Sequence, residues 1–171
     1  MKIIPNYIKT EELKNHIKNF LMGDQCDYYY QDSVAFSYDT EDPNFYFSHN
    51  LFSSAENRRY NSVDPFSNAF MHIALPLLGH LDYEILYRAK VNCYPRFSEH
   101  IQTGMHVDMN DTPHKVGLYS VNTNNGYTLF EDGTKVESVE NQMVIFDGHL
   151  KHCSVGQTDE KVRVNVNINF W

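Results

Sequence analysis

The chain has 171 residues and carries 14 Lys and Arg against 22 Asp and Glu, a net charge of −8. Hydrophobic residues make up 42% and charged residues 21%, near the averages for globular proteins, so one ordinary domain with its own core is expected over 1–171. So acidic a surface repels phosphate backbones, and the longest apolar run, Ile73 to Leu78, is far short of a bilayer span; neither a nucleic-acid nor a membrane partner is expected.

Met1-Lys2-Ile3-Ile4-Pro5 lacks the apolar stretch of a signal peptide, and Cys26, Cys93 and Cys153 are odd in number without CxxC spacing. A cytoplasmic location is the expectation. The unusual part of the composition is 14% aromatic residues and nine His, and position must decide which histidines matter.

In chain order, a first helix is expected after Thr10, with Glu11 and Glu12 in its first turn, Leu13, Ile17 and Phe20/Leu21 on one face, and Gly23 as its stop. Residues 24–62 are polar and aromatic and carry no clear assignment. Tyr28-Tyr29-Tyr30 and Phe45-Tyr46-Phe47 within them read as core or strand residues rather than a base-stacking platform. A second helix is expected from Asp64 as cap and Pro65 as first residue. Phe66, Ala69, Phe70, Ile73, Ala74 and Leu77 give its buried stripe, with Pro76 kinking or ending it and Gly79 just beyond.

From Tyr83 the period becomes two. Ile85, Tyr87, Ala89, Val91 and Cys93 alternate with Leu86, Arg88, Lys90, Asn92 and Tyr94. The last segment alternates more cleanly, with Val162, Val164, Val166, Ile168 and Phe170 on one face and Arg163, Asn165, Asn167 and Asn169 on the other. Turn signals stand at Asn124-Asn125-Gly126, Glu131-Asp132-Gly133-Thr134 and Asp147-Gly148, and Asp132-Gly133 marks a hairpin. The class expected is mainly β, an α+β arrangement. Residues 1–80 would be a helical and aromatic support packed outside, and 83–171 an antiparallel sandwich or barrel with a polar interior.

His106-Val107-Asp108 puts an imidazole and a carboxylate two residues apart, on one side of a strand. His80-Leu81-Asp82 has the same spacing but lies past a helix stop and is set aside. With His152 behind the Asp147-Gly148 turn, His106 and Asp108 compose two imidazoles and one carboxylate, a facial triad that leaves three positions open on iron(II). A dianionic 2-oxo acid can fill two of them and reach Arg163 with its far carboxylate, leaving the third for dioxygen. His149 is the rival of His152 and reads as a rim residue. His114, after Asp111-Thr112-Pro113, reads as an exposed loop residue, and Cys153 as a small buried apolar one.

Residues 85–171 resemble the 2-oxoglutarate- and iron(II)-dependent dioxygenases, in their prolyl-4-hydroxylase-like branch. The matching elements are Tyr94-Pro95, His106-x-Asp108, Leu118-Tyr119-x-x-Asn122, Asn125-Gly126-x-Thr128-x-Phe130, Ile145-Phe146-Asp147-Gly148 leading to His152, and Arg163-x-Asn165-x-Asn167. The resemblance implies a double-stranded β-helix, the jelly-roll fold shared with cupins. It implies a dioxygenase that hydroxylates a C–H bond, of a prolyl residue in a peptide or protein, while 2-oxoglutarate becomes succinate and CO2. The cofactors implied are Fe(II), 2-oxoglutarate and O2, with ascorbate as a reductant. His106, Asp108 and His152 would hold the metal and Arg163 the cosubstrate, helped by Tyr94, Asn167 and Tyr119, although the register leaves open whether Tyr119 or Ser120 faces inward.

Arg96, His100 and His149 are the substrate candidates, in loops over the barrel mouth that include 96–104, 109–114 and part of 36–62. Arg58-Arg59 can attract an acidic peptide or simply be solvated. Three other readings stand beside this one: a jelly-roll binding module without turnover, an oxygenase of the same superfamily acting on a free amino acid or small metabolite, and a cupin-type metalloenzyme, which would want more histidine ligands and no partner Arg.

Overall fold

A computed structural model of the chain describes residues 1–33, 45–54, 66–110 and 112–171. The N-terminal part supplies β1 (Lys2–Ile4), α1 (Glu11–Met22), β2 (Tyr29–Gln31), β3 (Tyr46–Ser53) and α2 (Phe70–Leu78). The rest is β4 (Leu86–Pro95), β5 (Lys115–Ser120), β6 (Asn124–Phe130), β7 (Lys135–Ser138), β8 (Gln142–Asp147), β9 (His152–Val155) and β10 (Val162–Phe170).

All strand pairs are antiparallel. A seven-stranded sheet runs β1-β8-β5-β10-β4-β3-β2, and a three-stranded sheet runs β7-β6-β9. Isolated bridges from Gln102 to Val155 and from His106 to His152 lay segment 102–106 along the free side of β9. From β4 onward the chain thus crosses back and forth between the sheets, which is the winding of a jelly roll, or double-stranded β-helix. The described residues before β4 contribute strands as well as helices: β1, β2 and β3 widen the large sheet at both edges.

Register explains the layering. β10 lies between β4 and β5, and its pairs Arg163–Tyr94, Asn165–Asn92, Asn167–Lys90 and Asn169–Arg88 bring two polar rows side by side. The opposite face of the same strands is apolar. Val164, Val166, Ile168 and Phe170, with Ala89 and Val91, are almost wholly buried in the larger core, which also holds Ile17 and Leu21 of α1 and Ile73 and Leu77 of α2. Each such Val, Ile, Leu or Phe side chain stabilises the fold by about 1.5–3 kcal/mol through burial. A second, smaller core of Val116, Leu118, Phe130, Val136, Val144 and Phe146 closes the barrel between the sheets.

α1 begins after Thr10 and ends before Gly23, as expected, although the Thr10 hydroxyl makes no capping bond. α2 begins later than its sequence suggests. It starts at Phe70, while Phe66 is exposed and bridges to Phe52; Asp64 and Pro65 lie outside the described residues. Pro76 sits inside α2, which ends two residues later and is closed by the Gly79 N–H on the Leu75 carbonyl. The Asp132-Gly133 hairpin joins β6 to β7, with Gly133 at φ +87°. Asn124-Asn125-Gly126 is not a turn but the irregular start of β6, tied to the loop between β9 and β10 by the Asn125 N–H on Asp159.

Candidate metal centre and its pocket

His106 and His152 face each other through a bridge between their backbones, the two N–H···O bonds being 2.9 and 3.0 Å, which sets their rings 4.8 Å apart. Each Nδ1 lies against a carbonyl oxygen, His106 on Gly104 at 3.0 Å and His152 on Leu150 at 2.9 Å. A carbonyl only accepts, so each Nδ1 carries a proton, which leaves Nε2 as the ring atom that can ligate a metal. Burial first of all, against the pull of Asp108, lowers the His152 pKa and keeps the ring neutral. Phe146 stands edge-on to it at 5.0 Å.

Asp108 completes the group: one ligand atom from each of His106, Asp108 and His152 lies within 4.8 Å of the others. The pair His106 and Asp108 is not carried on a regular strand, since His106 sits in a single bridge and Asp108 in a bend. What aims the carboxylate is the polar row of the large sheet. Arg88 Nη2 donates to Oδ1 at 3.2 Å, and Asn167 and Asn169 both donate to Oδ2, at 3.0 and 2.9 Å. Arg88 Nε also donates to Asn169 Oδ1 at 2.8 Å, closing a ring of three residues. Burial alone would raise the Asp108 pKa, but Arg88, His152 and the two amides together hold it well below the ordinary carboxylate range. Two imidazoles that present Nε2 and an anchored carboxylate are a donor set that fits Fe(II).

The same pocket reaches Arg163, which is 3% exposed. Its Nη1 donates to Ser154 Oγ at 2.6 Å and its Nη2 to Thr128 Oγ1 at 3.2 Å, while Nε is buried without a partner. Among the described residues no carboxylate pairs with it. Burial lowers its pKa, and a guanidinium kept in such a place by hydroxyls and carbonyls alone is suited to an anion that brings the missing charge. Tyr94 lies beside it, ring centroid 5.7 Å from Cζ, and stacks on Tyr46 at 5.4 Å. Burial pushes the Tyr94 phenol far up, so it enters the pocket as a hydroxyl.

Of the residues singled out from sequence, His106, Asp108, His152, Arg163, Tyr94 and Asn167 all line this pocket. Tyr119 does not. It lies on the other face of β5, in the core against Tyr7, with its hydroxyl donating to Asn141 at 3.2 Å, and Leu118 lines the pocket instead. By alternation Ser120 shares the inward side. Arg96, His100 and His149 are exposed and stand off the pocket; His100 is tied to the Gly156 carbonyl at 2.7 Å and His149 to Asp147 at 3.4 Å. His114 is buried at 2% exposure, not a loop residue in solvent, because its ring fills the space that the missing side chain of Gly148 leaves. Cys153 is fully buried.

Arg88, Asn169, Thr128, Ser154 and Tyr46 also stand at this site, and none was a site candidate from sequence, although Thr128 lies in one of the matching motifs. For Arg88 the signal existed, since the alternation that turns Tyr94 inward turns Arg88 inward too. Tyr46 comes from β3, where nothing in the sequence pointed to the pocket.

No family model matches the chain, and no curated protein matches it. Solved structures do. An oxidoreductase of the 2OG-Fe(II) oxygenase family from Burkholderia pseudomallei superimposes with a TM-score of 0.64 at 12% identity, over 98% of this chain and 84% of that one. A prolyl hydroxylase from Trichoplax adhaerens, in complex with a peptide fragment of the hypoxia inducible factor oxygen degradation domain, gives 0.64 at 12%, over 99% and 82%. A non-heme alpha-ketoglutarate-dependent epimerase from nogalamycin biosynthesis gives 0.59 at 10%, over 99% and 76%. The chain has the fold of the 2-oxoglutarate- and iron(II)-dependent oxygenases, and among the described residues no helix is long and apolar enough to cross a membrane.

Proposed function

We propose that the protein is a 2-oxoglutarate- and Fe(II)-dependent dioxygenase that hydroxylates a C–H bond. The observation that carries this is the joint occupancy of one pocket by the His106–Asp108–His152 group and by Arg163, with which no carboxylate pairs among the described residues. A binding module without turnover needs neither, and keeping both a lone-pair triad and a buried cation costs stability.

Bound Fe(II) with 2-oxoglutarate supplies the redox chemistry: one oxygen atom of O2 enters the substrate C–H bond as a hydroxyl, the other enters succinate, and CO2 leaves. The chain's own residues do the rest. His106 and His152 present Nε2, and Asp108 is aimed by Arg88, Asn167 and Asn169. Arg163, with Thr128 and the Tyr94 hydroxyl beside it, takes the distal carboxylate of the cosubstrate. Leu118 and Phe146 keep the intervening wall dry. Ascorbate enters only as a reductant in solution. The finer reading is hydroxylation of a prolyl residue in a peptide, supported by the motif order of residues 94–167 and by the likeness to the peptide-bound Trichoplax adhaerens enzyme. A cytoplasmic site of action and the residues Arg96, His100 and His149 as rim contacts for such a peptide belong to the same proposal.

The test is the visible absorbance of the anaerobic protein with Fe(II) as 2-oxoglutarate is titrated in. A metal-to-ligand charge-transfer band is expected, lost in His152→Ala. Arg163→Ala should need roughly 30-fold or more additional 2-oxoglutarate, because truncating one partner of a buried charge pair costs about 2–5 kcal/mol. A metal-loaded wild type without the band would end the 2-oxoglutarate reading.

A further inference from the structure

The hydrogen bonds around Asp108 treat its two carboxylate oxygens differently. Oδ2 accepts from both Asn167 Nδ2 and Asn169 Nδ2, at 3.0 and 2.9 Å. Among the described residues Oδ1 accepts only from Arg88 Nη2, at 3.2 Å. Each oxygen of an ionised carboxylate has about two lone-pair directions. Two amides therefore fill Oδ2, while Oδ1 keeps one direction open. A metal held by His106, Asp108 and His152 is left with Oδ1, the atom on which Arg88 sits.

Arg88 is fixed in that place. It pairs with Asn169 across the β4–β10 ladder, and its Nε donates to Asn169 Oδ1 at 2.8 Å. The Asp108 side chain is 7% exposed and that of Arg88 19%, so water screens the pair little. Aiming a carboxylate does not by itself need a cation, since the two amides already hold Oδ2. What the guanidinium adds is charge. His106 and His152 rest their Nδ1 atoms on backbone carbonyls rather than carboxylates, so neither ring brings a negative charge that would offset it. Fe(III) carries one more positive charge than Fe(II), and a cation one hydrogen bond from the ligating oxygen disfavours it more. The same hydrogen bond draws electron density from that oxygen and weakens it as a donor to the higher oxidation state.

Resting on the iron site of the reading above, we propose that Arg88 sets the oxidation state of that site, favouring Fe(II) over Fe(III) by donating to the Asp108 oxygen that faces the metal. Arg88 is thus a positioning residue that also tunes the metal. Only Fe(II) can begin the reaction. Its idle oxidation passes one electron to O2, which leaves as superoxide, and the Fe(III) left behind needs one electron from a reductant such as ascorbate. Arg88 slows that loss and lowers the demand for the reductant.

The full chain is loaded with less than one equivalent of iron, without 2-oxoglutarate, and poised anaerobically with dithionite, ferricyanide and mediators. Fe(III) is read from its high-spin electron paramagnetic resonance signal. Arg88→Gln removes the charge and keeps an amide donor, whereas Arg88→Lys keeps the charge and loses the planar fork. At a given potential the ratio of Fe(III) to Fe(II) should rise at least about tenfold in Arg88→Gln, a midpoint lower by about 59 mV. Arg88→Lys should stay within about threefold of the wild type. A wild-type midpoint in Arg88→Gln overturns the proposal. So does a midpoint in Arg88→Lys as low as in Arg88→Gln, because geometry rather than charge would then be at work.

A second measurement needs no variant to fold. The infrared difference between the zinc-loaded and metal-free wild type, with the Asp carboxyl carbons labelled with carbon-13, should show the widely separated stretches of a carboxylate bound through one oxygen. Chelation through both oxygens overturns the proposal, since Oδ2 cannot then keep two amides. A protein that holds iron but gives no charge-transfer band with 2-oxoglutarate fails the oxygenase reading alone. One that retains neither iron nor zinc overturns both.

Discussion

The two faces of β10 are equally buried and chemically opposite. Val164, Val166 and Ile168 point to the helices and are 0–1% exposed; Arg163, Asn165, Asn167 and Asn169 point between the sheets and are 0–7% exposed. Burial alone does not distinguish them, yet the apolar face gains from leaving water while the polar face loses unless each group is matched. The apolar face is matched by α1 and α2. The polar face is matched in part by Asp108, Arg88, Thr128 and Ser154, and the remainder is the capacity to bind ligands. One strand thus lines the core with one side and the candidate site with the other, and its position between β4 and β5 lets it do both.

Breaking the apolar side should have the largest effect on stability. Val166→Asn places an amide with no partner in the larger core and is expected to cost about 3–5 kcal/mol, the lost burial plus an unsatisfied polar group. Urea denaturation should show a lower midpoint at an unchanged slope, and the folded fraction should bind Mn(II), titrated by the loss of its free-ion electron paramagnetic resonance signal, as the wild type does. Three residues along the same strand and on its opposite face, Asn169→Leu should separate the two quantities the other way. It removes one donor from Asp108 and the partner of Arg88 Nε, so the stability cost is about 1–3 kcal/mol, while Mn(II) affinity should fall roughly 10–100-fold. Equal Mn(II) affinities in the two variants would show that the inner row does not aim the metal ligand.

How much of this was legible in the sequence follows from the same contrast. Where polar and apolar residues alternate strictly, as in β10 and most of β4, phase and facing could be read directly. β5 resists that reading: in Lys115–Ser120 the residues Val116, Leu118 and Tyr119 are all apolar and Gly117 has no side chain, so no alternation sets the phase. Tyr119 went to the helix side, where its hydroxyl finds Asn141. His114 follows Thr112-Pro113 and carries every local mark of a loop; its burial depends on a glycine far along the chain, which no local pattern reports. That His106, Asp108, His152 and Arg163 share one pocket was legible because the expected chemistry demands particular residue types in a fixed order. The residues that aim Asp108 were not, because an amide or a guanidinium on a strand says nothing of its partner until the register is known.

The smallest effect is expected where neither face is involved. Gly133 sits at the tip of the β6–β7 hairpin at φ +87°, and a Cβ built there meets nothing within 4 Å. Gly133→Ala therefore tests backbone strain without packing, and should cost about 1 kcal/mol, the penalty an L-residue incurs in a left-handed conformation. In urea the midpoint should shift by roughly a quarter of the Val166→Asn shift, and Mn(II) affinity should stay at the wild-type value. A larger loss of stability would mean that the hairpin braces the small sheet, and a loss of affinity would mean that the strain reaches His152 through β6 and β9, which pair Phe130 with His152 directly. Either result would shift weight from the two faces of β10 to the opposite wall of the barrel, where His152 is the residue that joins sheet and metal group.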